Sequence, residues 1–476
     1  MKNNLKEKIR SVVGTQNFTD REEDKLCYSY DATPLFQCIP EAIVFPENEE
    51  QISQLMKLAN EEKFNIVPRG AGTGLSGGSV PVENSVVIVL TRWNNILEID
   101  TNNLTATVQP GVITGSVQRE VEKAGLFYPP DPGSINVCTI GGNVANNAGG
   151  LRGLKYGVTK NYILGTEMIL PNGDLLKTGG KNMKDVAGYN LKDFIIGSEG
   201  TLGIITKILL KLIPLPAQSR TILAYFNTLN DSARSVSDII ANRITPSMME
   251  FLDNTTINCV EDYTQTGLHR NSEAVLLIEV DGRESVVAED AEIIINILKK
   301  NNASLIKMAG NLEEALLLKT ARRSAFSALA RKRPTTILED VTVPRSELPL
   351  MIEKVKEAAN KFDVIFGNFG HAGDGNLHPT CLTDERDKNE VEKAHRAFDF
   401  IFNEAIKLGG TITGEHGTGL AKKHFLEKVA GIPGIEFMKQ IKSVIDPNNI
   451  LNPGKIFSIS PKCESYSAPV KAGNIL

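Results

Sequence analysis

Apolar and polar positions give the two halves of the chain different textures. Between residues 31 and 215, short β-branched runs recur among Gly, Pro and Asn turns: "EAIVFP", "NIVPR", "SVVIVLT", "ILEID", "TATVQPG", "TEMILPNGD" and "GIITKILLKLIPLP". Such runs predict strands. Two stretches with apolar residues at helical spacing, "NEEQISQLMKLANEEK" and "TGSVQREVEKAG", predict helices between them. Residues 1–30 read as a charged helix leading into "CYSYDATPLF". Past Pro214 and Pro216 the pattern changes to long amphipathic helices, "AEDAEIIINILKKNN", "ELPLMIEKVKEAANKF" and "VEKAHRAFDFIFNEAIKLG", alternating with strands such as "EAVLLIEVDG" and "DVIFGNFGHAG". Both halves are therefore α+β, without a regular βαβ repeat. The stretch 458–476 is polar, unpatterned and reads as a loose tail.

Composition narrows the function classes. A chain of 476 residues predicts two or three domains. With 41% hydrophobic and 23% charged residues it is an ordinary globular protein, and a net charge of −5 leaves no basic footprint for nucleic acid. The start, "MKNNLKEKIRSVVG", has no apolar stretch of the secretory type, and the longest apolar runs are too short to cross a bilayer. Six cysteines (27, 38, 138, 259, 381 and 463) occur without a C-x-x-C pair. That pattern points to reduced thiols in a cytoplasm and away from an iron–sulfur cluster on this chain.

The candidate chemistry lies in glycine-rich loops and in histidines. In "VPRGAGTGLSGGSVP" five glycines fall within nine positions, and Gly72, Gly74 and Gly77 spell G-x-G-x-x-G. A dinucleotide fingerprint of this kind needs a helix next. Here Pro81 and another β-branched run follow, so the loop joins strand to strand. Any phosphate it holds is bound by the loop's own backbone N–H groups; the alternative is a mobile surface loop. A second dense block, "PPDPGSINVCTIGGNVANNAGG", with "GSEGTLGIIT" after it, supplies another wall for an extended ligand with a pyrophosphate and a flat ring. All six histidines follow residue 268. His371 and His378 flank "HAGDGNLH", which a tight turn would fold so that both rings share one side. With Glu415 they form either a divalent-metal shell or a pair of structural histidines. His269, His395 and His424 read as surface or helix-face residues.

"PRGAGTGLSGG", "PPDPGS", "TIGGNVANNAGG", "GSEGTLGIIT", "GHAGDGNLH", "TGEHGTG" and "DPNNILNPGK", in that order between residues 30 and 457, resemble the FAD-linked D-2-hydroxy-acid dehydrogenases. That family lies within the vanillyl-alcohol-oxidase flavoprotein superfamily. The resemblance implies an FAD-binding domain at 31–215, a ferredoxin-like substrate (cap) domain at 216–430, and a segment at 431–457 that returns to the flavin. It implies that Arg69, Gly70, Gly72, Thr73, Gly74 and Gly77 hold the pyrophosphate. Pro132, Gly133, Ser134, Gly141, Gly142, Asn143 and Gly149 would line the ring and ribityl chain, with Glu199, Gly200 and Ile205 at the adenosine end and Asn452 reaching back. Some relatives tether FAD through a histidine or cysteine. Residues 31–215 contain no histidine and the loop has neither type, so noncovalent FAD is expected.

By the same resemblance His371, His378 and Glu415 carry a divalent ion (Fe, Zn or Mn), His416 is the base, and Arg322 clamps a substrate carboxylate. The 2-hydroxyglutarate enzymes place a lysine where this chain has Leu338, two residues before Asp340. That departure favours a small monocarboxylate, D-lactate ahead of glycolate. Electrons would pass to an electron-transferring flavoprotein, or else to an iron–sulfur subunit. Two rivals are a non-redox flavin-dependent transferase on the same fold and a flavoprotein that only relays electrons. The His₂-Glu set and Arg322 argue against both.

Overall fold

The structure, a computed structural model, describes residues 1–458; the loose tail read at 458–476 thus lies, but for Ser458, outside the described residues. The chain divides into two compact units. One comprises Met1–Ala148, Val158–Pro214 and the stretch from Glu415 onward; the other comprises Gly149–Gly157 and Leu215–Gly414.

The first unit holds two main sheets. In one, the order is Phe18–Thr19, Ala42–Val44, Ser85–Val89, Asn65–Arg69, and the last three strands run parallel. Ser85–Val89 is buried at every position, which is why it reads as an unbroken β-branched run. Helix Glu49–Glu62 packs Ile52, Leu55, Met56 and Ala59 into the core. The Asn48 side chain caps it by accepting from Gln51 N at 3.0 Å. Parallel neighbours need a crossover. Between Asn65–Arg69 and Ser85–Val89 the glycine-rich loop supplies it without any helix.

The other sheet is antiparallel, in the order Ile96–Asp100, Thr105–Val108, Ile204–Lys211, Ile163–Ile169, Leu175–Gly179. Just past one edge strand, Lys181 Nζ lies 2.8 Å from both Glu98 Oε1 and Asp100 Oδ2 of the opposite edge. The sheet therefore curls until one side chain spans its margins. Near the N-terminus the structure departs from the single charged helix expected. Asn3–Val13 and Glu22–Cys27 are separate helices, and Gly14, at φ +88°, ends the first.

The second unit is built on one antiparallel sheet, in the order Leu305–Met308, Gln218–Phe226, Ala274–Gly282, Met248–Asp253, Ile365–His371, Asn376–Thr383, Thr335–Leu338. Counted along the chain, its first four strands stand in the order 4-1-3-2, the ferredoxin-like arrangement. Helices Leu229–Ala241 and Glu284–Lys300 make its two crossovers, and helix Asn254–Thr264 is inserted between the middle strands. The apolar faces of the crossover helices, Val236 and Ile239 on one and Val287, Ala291 and Ile294 on the other, are buried.

Candidate active site

Within the second unit the strand register brings the chemistry onto one sheet face. Glu250 stands opposite His371, and His371 opposite Asn376; in the next row Leu252 faces Phe369, and Phe369 faces His378. Side chains opposite one another in register share a face. The hairpin between His371 and Asn376 closes through a single 3-10 turn, Ala372–Asp374, with Gly375 left-handed at φ +73°. As a result the His371 and His378 rings meet edge to face, 5.1 Å apart at their centroids, and both are buried.

Arg322, near the end of helix Leu312–Arg323, reaches the same face. Its guanidinium lies 4.8 Å from the centroid of the Phe369 ring and 2.5 Å from Glu250 Oε2. Its Nε is buried and makes no hydrogen bond among the described residues. Glu250 is wholly buried, and its other oxygen lies 2.7 Å from His371 Nδ1. Burial alone would push the Glu250 carboxyl up, but the charges of Arg322 and His371 outweigh it and hold the group below its ordinary range.

A second buried carboxylate organises the end of the unit. Asp340 accepts from Asn376 Nδ2 at 2.5 Å, from Thr413 Oγ1 at 2.6 Å and from Gly414 N at 2.8 Å. The next residues in the chain are Glu415 and His416, which belong to the first unit. There, Asn146 Nδ2 donates to Glu415 O at 2.7 Å and Ser76 Oγ to His416 O at 3.0 Å. His416 Nε2 lies 3.6 Å from Glu415 Oε1. The stretch then crosses Glu199, whose carboxylate accepts from Thr418 N and Gly419 N at 2.7 Å each. Burial pushes that carboxyl up, with the two N–H donors pulling the other way.

The glycine-rich walls lie in the first unit, apart from Gly149 and Gly150, which belong to the second. Arg69 lies beneath its own loop, donating to Tyr30 O at 2.6 Å, and Ala32 N donates to Gly74 O at 3.0 Å. Gly72 is left-handed at φ +73°, and a Cβ there would strike the Arg69 guanidinium. Gly70, Gly72 and Thr73 are half-buried, Gly77 is buried, and Gly74 is exposed. In the second block Pro132 is buried while Gly133 and Ser134 are exposed. Thr139 caps helix Ile140–Asn146 at Gly142 N, Gly141 packs against Pro110, and Asn143 donates to Thr114 Oγ1 at 2.6 Å. Glu199 and Gly200 are both left-handed, at φ +50° and +70°, and Ile205 is buried in its strand. Asn452 donates to Gly78 O at 3.0 Å and to Glu199 O at 2.7 Å, while its buried Oδ1 has no hydrogen-bond partner among the described residues. Asn452 thus joins the loop after Arg69 to the Glu199 turn.

Glu250, Asp340 and Asn376 are missing from the residues the sequence singles out as functional. Glu250 sits in "SMMEFLD", which carries no motif, and its partners lie over seventy residues away in the chain. Nothing in the spacing marks it. Asn376, inside "HAGDGNLH", could have been found as a polar residue in an otherwise glycine-rich turn. Exposed Gly74, Gly133 and Gly142 offer backbone with little side-chain cover, so these walls suit a cofactor bound through main-chain groups. The two buried edge-to-face imidazoles suit a divalent ion.

Comparison with known proteins shows the family. Residues 215–456 match the model for the C-terminal domain of FAD linked oxidases, and residues 40–179 match an FAD binding domain. The chain is 52% identical over 454 residues to "Glycolate oxidase subunit GlcD" of Bacillus subtilis (strain 168), covering 95% of this chain and 97% of that protein. It is 35% identical over 466 residues to "D-lactate dehydrogenase" of Anaerostipes hadrus, covering 94% of each. Among solved structures, p-cresol methylhydroxylase with substrate bound aligns with a TM-score of 0.80 over 96% of this chain and 97% of that one. At 20% identity that likeness is one of fold. Half the chain matches the oxidase model and nearly all of it aligns with the curated relatives, so it belongs to the FAD-linked oxidases, flavoproteins of the vanillyl-alcohol-oxidase type.

Proposed function

We propose that the chain is an FAD-dependent dehydrogenase of small 2-hydroxy acids, D-lactate or glycolate, forming the 2-oxo acid and passing electrons to a separate protein. The observation that carries this reading is the buried Arg322, with an unpartnered Nε, on the same sheet face as two edge-to-face imidazoles. A buried cation with a spare donor suits a small anion. Leu338, which pairs in register with Thr380 on the face that carries His378, stands where the 2-hydroxyglutarate enzymes that the chain resembles have a lysine, which favours a monocarboxylate. The names of the relatives at 52% and 35% identity fit the same substrate class.

His371, His378 and Glu415 would hold a divalent ion, and the glycine-rich walls would hold FAD without a covalent link. When bound, the flavin supplies a two-electron acceptor and the ion a Lewis acid at the hydroxyl. Arg322 orients the substrate carboxylate. His416 takes the hydroxyl proton on Nε2 as C2 becomes a carbonyl carbon. The word "subunit" in one relative's name fits a protein acceptor, either an electron-transferring flavoprotein or an iron–sulfur subunit. Purified protein supplied with an artificial electron acceptor should oxidise D-lactate or glycolate and leave 2-hydroxyglutarate nearly untouched. Equal turnover of 2-hydroxyglutarate would overturn the monocarboxylate assignment.

A further inference from the structure

Glu250 touches two groups with different proposed tasks. Its Oε1 is 2.7 Å from His371 Nδ1, and its Oε2 is 2.5 Å from the Arg322 guanidinium. We infer that Glu250 is a positioning residue that sets His371 and Arg322 against each other, so that metal affinity and substrate-carboxylate affinity depend on one buried side chain.

The geometry supports this at both ends. A carboxylate only accepts, so it fixes the proton of His371 on Nδ1 and leaves Nε2 as the nitrogen able to ligate. The register places Glu250 directly across from His371, and a side chain from an adjacent strand limits how the ring can turn. At the other end, Glu250 Oε2 meets one arm of the guanidinium as an ion pair, while neither that arm's Nη2 nor Nε makes a hydrogen bond among the described residues. The planar fork is therefore held from one side with a donor to spare.

Burial makes the arrangement costly unless it serves a purpose. Glu250 has no exposed surface, and Arg322 and His371 are each only 5% exposed. An apolar residue at 250 would fill the same volume, yet it would leave Arg322 as an uncompensated buried charge.

The inference rests on the metal reading above, so the test separates the two. Zn²⁺ affinity is measured by competition with a chelator on the FAD-loaded full-length protein, alongside KM and kcat for D-lactate and glycolate. Glu250→Gln keeps the shape and removes the charge. It should weaken Zn²⁺ binding about 10- to 100-fold, the usual effect of losing a ligand's outer partner, and raise KM more than it lowers kcat. A purely architectural role would lower thermal stability and leave both affinities unchanged, and that result overturns the inference. Glu250→Asp keeps the charge but cannot span both partners, and it serves if the glutamine variant fails to fold. Asp should then lose Zn²⁺ affinity, KM performance or both, and retention of both again overturns the inference. If the wild-type protein binds no Zn²⁺, the metal reading fails, and the KM of the variants alone decides for or against Glu250.

Discussion

Replacing Asp340 with asparagine should lower both stability and activity. The side chain has no exposed surface and accepts from Asn376, Thr413 and Gly414 at 2.5, 2.6 and 2.8 Å. Asparagine is isosteric but turns one oxygen into a donor. If the amide nitrogen takes the Oδ2 position, Thr413 Oγ and Gly414 N both lose their acceptor. Hydrogen bonds to a charged group contribute about 1.5–3 kcal/mol each, so full loss costs about 3–6 kcal/mol and local relaxation leaves about 3. At about 2–4 °C per kcal/mol for a unit of this size, Tm should fall by about 6–12 °C. Glu415 and His416 follow directly in the chain, so a loosened Gly414 should also cut kcat, by about 10²-fold if the shift approaches 1 Å. The assay is a thermal melt together with steady-state kinetics at fixed FAD content. Wild-type Tm and kcat within about threefold of wild type would refute the reasoning, because Asp340 would then not hold this stretch in place.

Other expectations follow from single contacts. Lys455 is wholly buried, donates to Val80 O at 2.7 Å, and is brought down by burial from the ordinary 10.5 to about 8. Below pH 8 both folded and unfolded lysine are charged and the cost is constant. Between pH 8 and 10.5 the unfolded chain holds the extra proton, so stability should rise with pH by about 3 kcal/mol from this group. Lys455→Met should abolish that rise in the difference between urea midpoints at pH 7 and pH 10; an identical pH profile for the two proteins would contradict it. Gly72→Ala places a Cβ at φ +73° against the Arg69 guanidinium, costing about 1–2 kcal/mol in backbone strain alone, and should purify with much less FAD. Full flavin content in that variant would mean that the loop is not the pyrophosphate cradle.

How much the sequence revealed depended on how local each signal was. The strand Ser85–Val89 is a nearly unbroken β-branched run and Asn65–Arg69 carries Ile66 and Val67, and Pro81 excluded a helix after the glycine loop. The helix Leu348–Phe362 was legible because its apolar positions repeat at helical spacing. By contrast, Asn376–Thr383 carries Pro379 inside a strand paired on both sides, where proline normally argues against a central strand. "TIGGNVANNAGG" looked like loop because of its glycines, yet Thr139 caps a short helix there. The ferredoxin-like order depends on pairings between strands dozens of residues apart, which periodicity does not encode. His371 and His378 stood out through their motif, whereas Glu250 became visible only once the strand register placed it across from His371.

Anaerobic mixing of the purified, FAD-loaded chain with D-lactate, L-lactate, glycolate and 2-hydroxyglutarate, followed by the flavin's visible absorption, tests the central claim most directly. The account predicts rapid bleaching by D-lactate or glycolate, slow or no bleaching by L-lactate and 2-hydroxyglutarate, and bleaching slowed about 10²- to 10⁴-fold in the His416→Ala variant. A flavin that stays oxidised with every one of these acids would contradict the assignment of a 2-hydroxy-acid dehydrogenase.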